Sequence, residues 1–223
     1  MKRITISVLV ILMSFTFFKS NAQVPGKFYL GARFMPTISD FKVSQSNGDL
    51  YKTQAVIGYG FGGLLGVNLT DHVGLQGELL YSPLAQDYVD NMNVNRRITL
   101  NYVNIPLLLV LNTNSSSPVN LNFAVGPQFG ILAGSSFDAT GSAEGDTITA
   151  VFAAKPADIG IAYGAGLDFS IVPNFSIDIG YRGVIGLVDV SDQSKSITTD
   201  QYYLLDRSHL MTYAVYAGVK FKF

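Results

Sequence analysis

Over most of the chain, apolar and polar residues alternate with a period of two, and that period predicts strands. The C-terminus carries the clearest case. Met211, Tyr213, Val215, Ala217, Val219, Phe221 and Phe223 form one apolar row, and Thr212, Ala214, Tyr216, Gly218, Lys220 and Lys222 form the opposite one. Two such rows place the strand between two different solvents, and the lysines argue against a dry core on their side. Seven earlier segments repeat the pattern: 27–37, 56–69, 73–82, 98–111, 119–132, 157–171 and 175–182. In 157–171, Ile159, Ile161, Tyr163, Leu167 and Phe169 oppose Asp158, Gly160, Ala162, Gly164, Gly166 and Asp168.

The links between these segments alternate in length. Short ones (70–72, 112–118, 172–174) follow long polar ones (38–55, 83–97, 133–156, 188–208). An even strand count, short turns at one end and long links at the other predict an all-β fold. The architecture is an eight-stranded antiparallel up-and-down transmembrane β-barrel, with the short side and both termini in the periplasm. Past the N-terminus no apolar run is long enough for a membrane helix, so membrane residence must come from strands paired around a closed ring.

The two rows differ in chemistry. The apolar row suits lipid, whereas the other holds Gly, Ser, Asn and Gln with Arg33, Glu78, Asp158, Asp168, Asp178, Arg182, Lys220 and Lys222. A soluble sandwich or lipocalin reverses this arrangement. Eight strands enclose a lumen that side chains fill, and isolated charges there are costly, so opposite signs should pair. The expectation is an ion-pair network of Arg33, Glu78, Asp168, Asp178, Arg182 and Lys220 that holds the barrel together; a narrow ion path is the alternative. Glycines at 58, 60, 62, 66, 160, 164, 166 and 180 lie mostly on the inward row and leave space for the long charged side chains.

The N-terminus reads as a signal peptide over residues 1–22, with the barrel domain spanning 23–223. Lys2 and Arg3 precede the apolar run Ile4–Phe18, and Ser20-Asn-Ala22 supplies the small residues of a cleavage site. The run is short for a retained anchor, which needs roughly 20 apolar residues. Removing it leaves twelve basic against sixteen acidic residues, so nothing points to nucleic acid. The chain has no cysteine, which removes disulfides and thiolate metal sites.

Motifs for chemistry are few. Gly58-Tyr-Gly60-Phe-Gly62-Gly63 fits the dinucleotide fingerprint, but the period of two continues where that motif needs a helix. His72 has no second histidine near it, so no metal site is expected. Ser208 and His209 near the last strand would be candidates for a lipid-modifying enzyme. Adjacent residues of a strand point to opposite faces, so a nucleophile–base pair is not expected, nor any catalytic residue. Gly141-Ser-Ala-Glu-Gly-Asp146 is acidic but lacks the alternating spacing of a calcium loop. No cofactor is expected.

The stretches Glu78-Leu-Leu-Tyr-Ser82, Leu100-Asn-Tyr-Val-Asn-Ile-Pro-Leu-Leu-Leu-Val110, Gly126-Pro-Gln-Phe-Gly130, Asp158–Gly166 and Tyr181–Leu187 carry a resemblance. Through them the chain, from about residue 24 to 223, resembles the porin-like outer-membrane β-barrel family common in Bacteroidetes. The resemblance implies an eight-stranded barrel inserted by the outer-membrane assembly machinery, which reads a C-terminal aromatic strand such as the one bearing Phe221 and Phe223. It implies no ligand and no catalytic residue. The expected surroundings are outer-membrane lipid and lipopolysaccharide, around a monomer. The expected role is structural or surface-interacting, with a narrow channel for ions or very small solutes as the alternative and a lipid-modifying enzyme as the weakest reading.

Overall fold

The computed structural model describes residues 28–40, 53–89, 95–140, 157–188 and 211–223. The signal segment 1–22, the acidic run 141–146 and the Ser208–His209 pair lie outside these residues. Among the described residues there are nine strands: β1 (Phe28–Asp40), β2 (Thr53–Ala55), β3 (Ile57–Asn68), β4 (Val73–Val89), β5 (Asn95–Asn112), β6 (Val119–Thr140), β7 (Ala157–Val172), β8 (Phe175–Gly186) and β9 (Met211–Lys222). β2 and β3 are separated only by Val56 and both pair with β4, so they form a single stave. Eight staves result. Each pairs antiparallel with its chain neighbour, and β1 pairs with β9 to close the ring. Closing eight strands requires a tilt of roughly 35–45° to the barrel axis.

Local chemistry explains the short turns. The Thr70 hydroxyl accepts hydrogen bonds from the amides of His72 (3.2 Å) and Val73 (3.0 Å), tying the β3–β4 turn. Asn114 accepts from the Ser116 amide at 2.9 Å in the β5–β6 turn. At the seam, the amide of Phe223 donates to the Phe28 carbonyl at 2.8 Å.

The alternation sorts the side chains as a membrane barrel requires. Phe28, Leu30, Phe34 and Ile38 of β1 are exposed, whereas Tyr29, Arg33, Met35 and Thr37 are buried. Exposed tyrosines cluster toward the long-link end, with Phe34 stacked on Tyr59 (5.9 Å between centroids), Phe61 against Tyr81 (5.6 Å) and Tyr163 against Tyr181 (6.5 Å). Phenylalanines mark the other end, where Phe175 meets Phe221 at 5.1 Å. Such aromatic belts sit where hydrocarbon gives way to headgroups.

Two expectations are corrected by the strand ends and the interior. The links 38–55, 83–97 and 133–156 are shorter than the sequence indicates, because β1 runs to Asp40, β2 starts at Thr53, β4 runs to Val89, β5 starts at Asn95 and β6 continues to Thr140. The interior is also not uniformly polar. Leu108, Val110, Ala124, Ala162 and Val184 form one buried apolar cluster, and Met35, Leu80, Ala214 and Tyr216 form another.

The first correction has a physical cause. Below Tyr81 the outward row of β4 is Leu75 and Leu79, both exposed; above it the outward row is Pro83, Ala85 and Asp87. In β5 the outward row changes from Leu107 and Leu109 to Thr99 and Asn101. The inward row at this level carries buried Leu84, Leu100 and Tyr102. The polarity therefore inverts along the same strands, as it must where a wall leaves lipid and enters water.

Candidate functional site: an ion-paired lumen

Register determines which long side chains can reach the axis. Arg33 on β1 lies opposite Gly62 on β3 and Gly218 on β9, so both neighbours leave its path open. Arg182 on β8 lies between Gly164 and Ala214 for the same reason. Asp168 and Asp178 are direct cross-strand partners on β7 and β8. Two carboxylates in that position repel, unless a cation lies between them. Lys220 supplies it, with its Nζ 2.7 Å from Asp168 Oδ1 and 3.2 Å from Asp178 Oδ2.

From there the charges continue in alternating sign. Arg33 donates through Nη2 to Asp178 and through Nη1 to Glu78 Oε1 at 2.6 Å. Arg182 donates through Nη2 to the same Glu78 oxygen at 2.9 Å and through Nη1 to Oε2 at 3.4 Å. The order is Asp168, Lys220, Asp178, Arg33, Glu78, Arg182: three anions and three cations in one chain across the lumen, every residue buried. All six residues named from the sequence stand in it. Asp158 is buried nearer the long-link end, beside Asn104, Gln128 and Arg182.

Neutral side chains that sequence reasoning did not assign to the network support it. Tyr29 donates to Gln76 Oε1 at 3.0 Å, and the Gln76 amide donates to Glu78. Asn120 and Asn122 each donate to Asp168 Oδ2 at 3.3 Å. The Arg33 guanidinium lies 4.0 Å from the Tyr216 ring centroid, a cation–π contact. Their signal in the sequence is parity alone, since Tyr29, Gln76, Asn120, Asn122 and Tyr216 all fall on the inward row. Glycine is required beside both tyrosines: a Cβ at Gly66 would collide with the Tyr29 ring, and one at Gly180 with the Tyr216 hydroxyl.

The chain of charges separates two small voids. One of about 30 Å³ lies beside Asp158 and Arg182, and one of about 10 Å³ beside Asp168, Lys220 and Lys222. Such a volume holds about one water molecule. Beyond the lower void, Lys222 donates to Ser170 Oγ at 3.0 Å and the Ser115 carbonyl at 3.5 Å.

Other sequence candidates sort simply. Gly58 to Gly63 lie within β3, so the helix that a dinucleotide fingerprint needs does not follow. His72 is exposed in the β3–β4 turn, with Nδ1 3.3 Å from the Asn112 carbonyl. Among the described residues no three His, Cys, Asp or Glu side chains could hold a metal ion together. Phe221 and Phe223 project outward at the end of the last stave.

This architecture has close counterparts in shape. The Neisserial surface protein A superposes with a TM-score of 0.50 at 17% identity, over 90% of this chain and 100% of that one. The outer membrane protein OprG of Pseudomonas aeruginosa gives 0.54 at 11% identity, over 89% and 96%. At such identities the likeness shows the fold. No curated protein matches the sequence significantly. The profile of a family described as "Outer membrane protein beta-barrel domain" matches residues 19–192, most of the chain. With that match, a closed eight-stave ring and a lipid-facing outer row, the chain belongs to the outer membrane protein beta-barrel domain family and is an outer-membrane barrel.

Proposed function

We propose that this barrel is a non-enzymatic structural and surface-interaction protein whose lumen is sealed by its own ion pairs. Its short turns and both termini face the periplasm, and its long links face outward. The observation that carries this reading is the charge-balanced chain from Asp168 to Arg182, flanked by voids of about 30 and 10 Å³. Among the described residues, such a neutral plug leaves no wide path through the lumen. Mature barrel reconstituted in planar bilayers should show no current steps above the bare-membrane baseline. Reproducible single-channel steps would favour the second reading, a narrow path for ions or very small solutes. That reading draws on the two voids, which lie on opposite sides of the same plug.

The expected surroundings are lipid and lipopolysaccharide on the outside of a monomer. The outward Phe221 and Phe223 are offered as the feature read by the assembly machinery. In cells, Phe223→Ala should reduce the amount of heat-modifiable, folded barrel in the outer membrane several-fold while leaving refolding of the purified chain into detergent unchanged. Equal cellular levels of the two proteins would exclude this role for the aromatic terminus.

A further inference from the structure

The lipid-facing wall is not uniform. Between β3, β4, β5 and β6 it carries a groove of about 480 Å³, lined by Phe28, Leu65, Leu75, Gly77, Leu107 and Pro127. Two causes make the depression. Gly77 stands on the outward row, and a Cβ added there would meet only Leu107 Cδ2, at 3.7 Å, with open space beyond. Pro127 has no amide hydrogen, and the β5–β6 ladder skips Leu107 and Leu108 at this level, resuming at Leu109 and Val125. The flanking side chains are large and exposed: Phe28 53%, Leu65 59%, Leu75 47% and Leu107 51%. They form raised banks around a floor of glycine and proline.

We propose that this groove holds one acyl chain of a phospholipid from the leaflet at the short-turn end. Several observations favour that occupant over a protein. The groove lies inside the belt of exposed aliphatics, where hydrocarbon is the solvent, and its named lining is apolar. Leu75 is two residues from the start of β4 and Phe28 opens β1, which places the groove in the half of the wall nearest the turns. A chain lying there gains dispersion contacts that a smooth wall does not offer. The assignment to phospholipid rests on the periplasmic placement of the turns.

The chain contains no tryptophan, so an introduced one reports unambiguously. Leu75→Trp places a fluorophore on the groove bank. Ile177→Trp places one on an exposed outward position of β8, on a wall that the groove does not reach. In vesicles mixing ordinary phosphatidylcholine with phosphatidylcholine brominated on its acyl chain, the Leu75→Trp barrel should reach half-quenching at a several-fold lower mole fraction of brominated lipid than the Ile177→Trp barrel. Adding Gly77→Leu to the Leu75→Trp barrel should remove the difference. Equal quenching at the two positions, or a difference that survives Gly77→Leu, would overturn the proposal. If Gly77→Leu prevents folding, Gly77→Ala with the same readout serves instead. Cross-linked dimers that form through this wall without lipid would assign the groove to a second copy and equally overturn it. Should brominated lipopolysaccharide chains quench Leu75→Trp while brominated phospholipid does not, the orientation has failed rather than the groove.

Discussion

Glu78→Gln is expected to lower the unfolding free energy of the vesicle-embedded barrel by about 3–5 kcal/mol, the cost of leaving buried charge without its partner. Glu78 accepts from both Arg33 and Arg182, so its neutralisation leaves Arg33 with Asp178 alone and takes from the Arg182 guanidinium the carboxylate it donates to. Urea titration followed by tyrosine fluorescence and by gel mobility would measure the shift. The double variant Glu78→Gln with Arg182→Gln should recover part of the loss, because the cation left without its carboxylate is gone, while Arg33 keeps Asp178. A midpoint unmoved by Glu78→Gln would mean that solvent reaches the arginines, and the picture of a sealed plug would fall. Current through the Glu78→Gln barrel where the parent shows none would identify the same contact as the seal.

Leu79→Arg should destabilise the embedded barrel by about 1–2 kcal/mol, between the cost of arginine at the bilayer midplane and its small cost at the interface. Leu79 is 58% exposed on the outward row of β4, between the aromatic belts. Ala85→Arg, six residues further along the same row, should leave stability nearly unchanged, because the row there faces water. This pair of substitutions tests the boundary read at Tyr81, with chain, strand and side chain held constant. Similar losses at both positions would place Ala85 in lipid and remove the extension of β4 above the membrane.

The staves were legible in the sequence because a period of two survives wherever the two solvents differ strongly. Alternation from Ile159 to Phe169 and from Met211 to Phe223 gave strand, face and register parity together, and the charges on the inward parity picked out the residues of the ionic chain. Strand length was harder to read. Between Pro83 and Thr99 the outward residues turn small and polar while Leu84 and Leu100 turn inward, so a pattern that means lipid outside lower down means water outside higher up. A strand whose outward row has become polar therefore reads as loop. The partners Tyr29, Gln76, Asn120, Asn122 and Tyr216 were hidden for another reason. Pairing depends on how far a side chain reaches across a closed lumen, and parity on one strand does not encode distances to the opposite wall.

The ring closes only where β1 meets β9, and the two strands are the outermost staves in chain order. Until β9 docks, β1 and β8 each carry a raw edge, and the ionic chain lacks Lys220. A nascent barrel missing those final twelve residues has no lesser closed form to occupy. It presents open backbone to any strand nearby, the template on which edge-to-edge aggregation starts. Selection on this polypeptide must therefore act on its unfinished forms as well as on the finished cylinder.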